Sequence, residues 1–335
     1  MIPKLIKLLI TLALAASIIS CGSGDELKIT KVSRIVMGTL VEISAVGPTD
    51  KTQPAIDAAF SELKRVENLT SFHKSSDLTR LNKSSGEGPQ TVDPELVSLI
   101  IKSLEFSALS QGAFDPSIGP VAQLWNFSGE SGPRLPDSAE IGKILPLIGW
   151  EQVLVDEDGH SVSLAKAGMA LDLGAIAKGY AIDKATQKLK SLGVKAALVN
   201  AGGDIVAYGE KEPGKPWKIG VQDPRNPGGV IAVAELKDRA MVTSGDYERS
   251  FEDSGKRYHH LLDPKTGHPA DGLQSVTIVA ADGVTADALS TAVFVLGKEK
   301  GIELTESLPD VAALLVDAQG KIIMSQKGRE MFKVR

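Results

Sequence analysis

The chain has 335 residues, 42% of them hydrophobic, a formal charge of −5 and one cysteine. That is enough apolar material for a sizeable core in one large domain or two closely packed ones, so a disordered chain is excluded. The acidic balance lacks the basic excess that phosphate-backbone binding requires, and nucleic acid is excluded as a partner.

Lys4 and Lys7 precede the apolar run LLITLALAASII, and Ser20 precedes the lone Cys21. A bilayer span needs about 20 apolar residues. This run is shorter, so residues 1–20 read as a signal peptide. Cys21 directly after Ser20 resembles a bacterial lipobox, in which the thiol is acylated and becomes the new N-terminus. A plain secretory signal with a stray cysteine is the alternative. If Cys21 carries lipid, no cysteine is left for a disulfide, a thiolate nucleophile or zinc. Loss of Lys4 and Lys7 also takes the formal charge to −7. Residues 21–30 then read as a flexible tether and 31–335 as the folded domain.

From Arg34, RIVMGTLVEISAV alternates and is β-branched, which predicts a strand or hairpin. AIDAAFSELKRVENL follows with Ile56, Ala59, Phe60, Leu63 and Val66 on one helical face. SFHKSSDLTRLN reads as a polar loop. Asp93 as N-cap, Pro94 in the first turn and Gly112 past the end bracket a helix whose apolar stripe runs from Leu96 to Leu109. GAFDPSIGPVAQLWNF is too rich in Gly and Pro for regular structure, yet holds Phe114, Trp125 and Phe127, as a pocket-lining loop would.

VLVDEDGHSVSLA predicts a hairpin around Asp158-Gly159. MALDLGAIAKGYAIDKATQKLKSLGV predicts a strand that turns at Gly174 into a helix ending near Gly193. AALVNAGGDIVAYG, WKIGVQDP and VIAVAELKDRAMVTSG are strands. SVTIVAA is another, followed by a helix over Gly283–Gly297 and a last hairpin around Gln319-Gly320. Strands and helices mix without a βαβ rhythm, which points to α+β.

Four segments could carry chemistry. In GVTADALSTAVFVLG, Asp287 and Thr291 lie four apart on one helical face, and two hard oxygens converging there suit magnesium. The alternative is a helix capped by Thr285 with Asp287 in its first turn, favoured by the helix dipole. In LDLGAIAKGYAID, a helix N-terminus with Lys178 one turn in suits an anion, and Asp172 could accept a ribose or ring N–H bond. A plain turn with a solvated lysine fits equally. NAGGDI needs either a close backbone approach or a bulge. Three of the five histidines fall in YHHLLDPKTGHP near Asp263, where histidine beside a carboxylate can act as a base. No H-E-x-x-H, P-loop, G-x-G-x-x-G or G-x-S-x-G pattern is present.

Together MGTLVEI, SSDLTRLN, GAFDPSIGPVAQLWNF, LDLGAIAKGYAID, NAGGDI, TSGDYERSF, YHHLLDPKTGHP and TADALSTAVFVLG, in this order, closely resemble the ApbE family of magnesium-dependent FAD:protein FMN transferases. The resemblance implies an α+β, T-fold-like architecture of mixed, mostly antiparallel sheets with packed helices. It implies FAD as substrate, with Met37 and Phe72 beside the flavin, Ala113, Phe114 and Asp115 as another wall, and Asp172, Lys178 and Leu261 in contact. It places Mg2+ on Asp287, Thr291 and the Ala175 carbonyl. Phe72 stands where many members have tyrosine, so a phenol hydrogen bond is missing while stacking survives.

His260 as the base, oriented by Asp263, is a further expectation. The implied reaction moves FMN from FAD to a threonine hydroxyl of an acceptor protein and releases AMP. Acceptors would be flavoprotein subunits of envelope electron-transport complexes, such as sodium-pumping NADH:quinone oxidoreductase or Rnf-type complexes. The protein would be lipid-anchored through Cys21 in a bacterial cell envelope, facing the periplasm. Two alternatives stand: an FAD pyrophosphatase giving FMN and AMP, and a non-catalytic flavin-binding carrier lipoprotein.

Overall fold

The computed structural model describes residues 28–127, 129 and 131–335. The expected signal peptide, Cys21 and the tether as far as residue 27 lie outside the described residues. Ile29 and Thr30, expected at the end of that tether, already belong to the first strand.

That strand, Ile29–Val36 (β1), pairs antiparallel with Thr39–Val46 (β2) around Met37 and Gly38, both at positive φ (54° and 71°). A two-residue turn of this kind twists in the same sense as its strands. There follow α1 (Thr49–Thr70), α2 (Asp77–Lys83), β3 (Gln90–Thr91), α3 (Pro94–Leu109), α4 (Gly119–Trp125) and α5 (Ser138–Ile144). Next come β4 (Val153–Asp156), β5 (Ser161–Leu164), α6 (Ala177–Ser191), β6 (Ala196–Ala201), β7 (Asp204–Tyr208) and β8 (Trp217–Gln222). Then β9 (Val230–Leu236), β10 (Arg239–Gly245), β11 (Ser250–Asp253), β12 (Lys256–His259), β13 (Leu273–Ala280) and α7 (Gly283–Glu306). The chain ends with β14 (Ala312–Asp317), β15 (Ile322–Met324), α8 (Gln326–Met331) and β16 (Phe332–Val334).

The fold is α+β, as the mixed order of elements implies. Eight strands form an antiparallel sheet in the order β1-β2-β6-β7-β10-β13-β14-β15. One face carries the larger core, in which α1, α3, α6 and α7 bury Ile56, Phe60, Leu63, Ile100, Ile182 and Phe294 against Ile43, Val199, Val242 and Ile278. The other face is covered by the small sheet β16-β9-β8, whose Trp217, Ile219 and Phe332 meet Ile205, Met241 and Leu314. Covered on both faces, β13 buries all eight of its residues. Among the described residues no helix is long and apolar enough to cross a membrane.

Three local expectations are corrected. SFHKSSDLTRLN is not all loop: Ser76 and Thr79 cap each other reciprocally, and Leu78 and Leu81 are buried, so α2 forms. Two apolar residues in seven leave too thin a stripe to read as a helix. GAFDPSIGPVAQLWNF contains α4, which tolerates Pro120 because a proline in the first turn gives up only an N–H with no helical partner. Residues 169–173 form no strand. The Asn82 side chain binds both the N–H and the C=O of Leu171 at 2.8 Å, and the Asp172 N–H goes to the Pro116 carbonyl, so the backbone groups are satisfied outside any sheet.

The two helices that carry Lys178, Asp287 and Thr291 meet where α6 crosses α7. A Cβ built on Gly179 would lie 2.1 Å from the Gly283 carbonyl oxygen, and one on Gly283 would lie 2.6 Å from that of Gly179. Only glycine permits backbones this close. Gly179→Ala is therefore expected to cost about 1–3 kcal/mol through overpacking, seen as a fall of several degrees in melting temperature. A Lys188→Ala control on the same helix should leave the melting temperature nearly unchanged.

Candidate active site

The close crossing brings the Asp287 carboxylate, only 3% exposed, within reach of α6. Its Oδ2 accepts the Gly179 N–H at 2.8 Å. The start of α7 is fixed from two sides: Asp282 caps it by accepting the Thr285 N–H at 2.7 Å, and Asp183 accepts the Gly283 and Val284 N–H groups at 2.8 and 2.9 Å. Thr285 is thus not the cap, and Asp287 lies beyond the first turn. At Gly297 the backbone leaves helical geometry, with φ 76° and ψ −178°, where the sequence places the end of the helix.

In a regular helix the Gly179 N–H would donate to the carbonyl four residues back, that of Ala175. Here it donates to Asp287, and no described donor reaches the Ala175 carbonyl. The other carboxylate oxygen, Asp287 Oδ1, likewise accepts no hydrogen bond from a described residue. One turn along α7, Thr291 Oγ1 lies 3.4 Å from Ser244 Oγ. Ser290 donates to the Asp287 carbonyl, so in the 2.8 Å Ser244–Ser290 bond Ser244 is the donor. Ser244 then has only acceptor capacity for Thr291, whose oxygen lone pairs stay available.

These are oxygen donors of the type a hard divalent cation takes. They fit magnesium better than a transition metal, and among the described residues no cluster of three or more His, Cys, Asp or Glu side chains could hold a metal. Burial pushes the Asp287 carboxyl up to about 7, the nearby Asp204 carboxylate adds to this, and Lys178 and the Gly179 N–H oppose it.

Lys178, in the first turn of α6, forms an ion pair with Asp204, a carboxylate 1% exposed at the start of β7. Burial alone would lower the Lys178 ammonium, but the facing Asp204 and Asp287 carboxylates outweigh it and hold it above its ordinary value. Asp204 was hidden in NAGGDI, where the glycines draw attention. Gly202 and Gly203, at φ 63° and 103°, form the β6–β7 turn, which settles the segment as a tight hairpin and not a bulge. The signal for Asp204 was a carboxylate opening an otherwise apolar strand. Asp183 was also missed, although it lies four residues after Gly179 and so shares its helical face.

His260 stands just beyond the β11–β12 hairpin, and its N–H bonds to the Arg249 carbonyl at 3.1 Å. Burial, then the positive charges of Arg249 and Lys178, push its imidazole down to about 3, so it is neutral at ordinary pH. Its Nδ1 is buried without a hydrogen-bond partner among the described residues. Asp263 does not supply one. Its carboxylate accepts from the Lys265 N–H at 2.9 Å and the Thr266 hydroxyl at 3.3 Å, and so closes the 263–267 turn. The expectation that Asp263 orients His260 is corrected on this ground.

Asp172 accepts the Gly174 N–H at 2.8 Å; burial raises it, against the charges of His73 and Arg249. Glu248 is raised by burial and lies in the fields of Lys178, Asp204 and Arg249. Lys178 and Arg249 thus tie Asp172, Asp204, Glu248 and His260 into one electrostatic neighbourhood with Asp287. Of the expected wall, Phe114 packs edge-on to Phe106, and Asp115 accepts from Ser117 and from the Trp150 N–H. Ala113 is buried beside them and Leu261 is buried in the main core. Met37 is partly buried at its turn, and Phe72 is partly buried with its ring edge-on to His73. A cavity of about 390 Å³ beside Tyr180, Asp183, Lys190 and Val284 holds none of the expected site residues.

Residues 37–315 match the ApbE family. The chain belongs to the ApbE family. It is 38% identical over 315 residues to the FAD:protein FMN transferase of Treponema pallidum, covering 89% of this chain and 87% of that one. It is 33% identical to the Haemophilus influenzae protein of the same name, over 90% of each. The ApbE protein of Thermotoga maritima superposes with a TM-score of 0.85 at 38% identity, covering 91% of this chain and 99% of that one. The apo flavinyl transferase ApbE of Pseudomonas stutzeri gives 0.81 at 32%, covering 91% and 97%.

The raised Asp287 has a consequence for stability. A carboxyl whose folded pKa lies above its unfolded value destabilises the fold at pH above both, and the penalty fades as pH falls through the folded value. Asp287→Asn keeps an acceptor for Gly179 and removes the charge. In metal-free protein it should melt a few degrees above the wild type at pH 8, with the gap closing between about pH 7 and 4. Calorimetry across that range checks it.

Proposed function

We propose that this protein transfers FMN from FAD to a hydroxyl of an acceptor protein, releases AMP, and uses a magnesium ion held by Asp287, Thr291 and the Ala175 carbonyl. The observation that carries the metal part is the diverted Gly179 N–H. It leaves the Ala175 carbonyl and Asp287 Oδ1 without partners among the described residues, with an available hydroxyl one turn away. Bound there, magnesium would withdraw charge from the pyrophosphate of FAD.

The chain's own residues account for the remaining requirements. Lys178 brings a fixed positive charge to the phosphates, and Asp204 keeps its ammonium in place. The acceptor hydroxyl oxygen forms a bond to the flavin-side phosphorus, the bond to the AMP phosphate breaks, and the hydroxyl proton goes to His260. His260 is neutral and can take it. Its basicity is suppressed first by burial and then by the positive charges of Arg249 and Lys178, and an anionic pyrophosphate beside Lys178 would offset the charge part of that suppression. The relatives named FAD:protein FMN transferase support the reaction. A threonine as the accepting residue, flavoprotein subunits of envelope electron-transport complexes as acceptors, a lipid anchor on Cys21 and a periplasmic position belong to the same proposal. The composition of the first 21 residues supports the last two.

Incubation with FAD and magnesium, with and without an apo acceptor flavoprotein, tests the reading. Stoichiometric AMP and covalent flavoprotein are expected only when the acceptor is present. Free FMN with no covalent product means a pyrophosphatase, and FAD binding with no AMP means a carrier. His260→Ala should lower transfer by about 10²–10⁴-fold with FAD affinity retained, and unchanged turnover removes His260 from the mechanism. Chelation, or Asp287→Ala, should abolish AMP release; release that persists in either case overturns the metal assignment.

A further inference from the structure

Arg249, in the segment TSGDYERSF, has so far entered only through its charge. Its position says more. Ser250 pairs with His259 in the β11–β12 ribbon, and one step further along the His260 N–H donates to the Arg249 carbonyl at 3.1 Å. In an antiparallel ladder such a bond joins residues directly opposite one another, with Cα atoms about 5.5 Å apart and side chains on the same face. Arg249 is therefore the cross-strand neighbour of His260. It is exposed, so a ligand can reach it. Its charge acts on Asp172 before α6, on Lys178 of α6, on Asp204 of β7 and on Glu248. A group that acts on all of these lies over the site and not out along the ribbon.

The reaction fixes where the attacked phosphate stands relative to this pair. A base takes a proton across about 2.6–3.2 Å, and the attacking and attacked atoms stand about 3–3.5 Å apart before the bond forms, so the phosphorus comes within roughly 6–7 Å of the His260 imidazole. An arginine beside that imidazole offers five N–H donors in a planar fork that matches two oxygens of one phosphate, and it stays charged at every working pH. Lys178 does not duplicate this, because its ammonium is a point charge already paired with Asp204.

We propose that Arg249 is a catalytic residue of the transfer: its guanidinium grips the two non-bridging oxygens of the flavin-side phosphate and stabilises the charge on them as the acceptor oxygen bonds to that phosphorus and the bond to AMP breaks. The hydroxyl proton goes to His260 and the bridging oxygen leaves with AMP, so Arg249 exchanges neither protons nor electrons. Phosphoryl transfer gives a protein little covalent chemistry to do, and stabilising charge on these oxygens is its main contribution. The grip has a second effect. It sets an anion against the positive charge facing His260, and so restores part of the basicity of the imidazole only when substrate is in place. The inference rests on the transfer reading of the site and on His260 as the proton acceptor.

Arg249→Ala and Arg249→Lys are compared with the wild type in FAD, magnesium and an apo acceptor flavoprotein, with AMP and covalent flavin both measured. The kcat should fall by about 10²–10³-fold in Arg249→Ala and by less in Arg249→Lys, which keeps the charge and loses the fork. An interaction that tightens in the transition state acts on kcat, so the Michaelis constant for FAD should move by no more than about fivefold. Guanidinium ion at millimolar concentration should recover part of the lost rate in Arg249→Ala, which a merely structural role does not allow. Lys256→Ala, which removes a charge at the tip of the same ribbon, should keep the wild-type rate. An unchanged kcat in Arg249→Ala overturns the inference, as does a loss carried wholly by the Michaelis constant for FAD. So does a loss that guanidinium fails to recover and that comes with a lower melting temperature. AMP and free FMN without covalent product from the wild type means that the transfer reading has failed, a separate result, and the rate of AMP release in the variants then still decides the part played by Arg249.

Discussion

The site depends on two helices meeting without side chains between them. Gly179 and Gly283 let α6 and α7 approach until backbone faces backbone, and only at that separation does the Asp287 carboxylate reach the Gly179 N–H. The bond satisfies one oxygen of a buried acid and at the same time removes the Ala175 carbonyl from the helix ladder. A packing contact thus decides which oxygens remain without partners. Asp183 reinforces it from the same face of α6 by holding the first two N–H groups of α7.

Charge is the second constraint, and it follows from the first. The crossing buries Asp287 close to Asp204, two carboxylates whose proximity is unfavourable unless cations intervene. Lys178 is one such cation, paired to Asp204 and in the field of Asp287. With both carboxyls ionised, one ammonium leaves the group of three negative, and a divalent cation on Asp287 would reverse that sign. His260 is neutral chiefly because it is buried, and the positive charges of Arg249 and Lys178 push it the same way.

Much of this was legible in the sequence, for identifiable reasons. Helices α1 and α3 announced themselves because a long apolar stripe, and in α3 a cap and a terminal glycine, all agree. The hairpins at Asp158-Gly159 and Gln319-Gly320 were legible from their turn residues. Asp287 and Thr291 stood out because a carboxylate is rare in so apolar a helix. What stayed hidden are the residues whose role is set by distant partners. Asn82 reads as part of a polar loop until Leu171, 89 positions away, comes to lie against its amide. Asp204 reads as a turn residue until Lys178 meets it. Asp263 misled for the opposite reason: it sits close to His260 in sequence, yet its carboxylate closes its own turn.

The site is shared between two parts of different construction. Lys178, Asp204, Asp287 and Thr291 stand on α6, β7 and α7, elements fixed by the large sheet and its main core. Arg249 and His260 stand at the base of β11–β12, a ribbon that pairs with no other strand among the described residues and rests its Phe251 and Tyr258 on Trp125 of α4. The Trp125 indole N–H in turn donates to the Gly267 carbonyl in the turn that Asp263 closes. The carboxylate first expected to orient His260 therefore acts one step further out: it shapes the turn that anchors Trp125, on which the histidine-bearing ribbon packs. In the proposed reaction, metal and phosphate ligation would fall to the part built on the large sheet, where fixed oxygen positions matter most. In the same proposal the proton acceptor would stand at the end of a ribbon that packs its rings on Trp125.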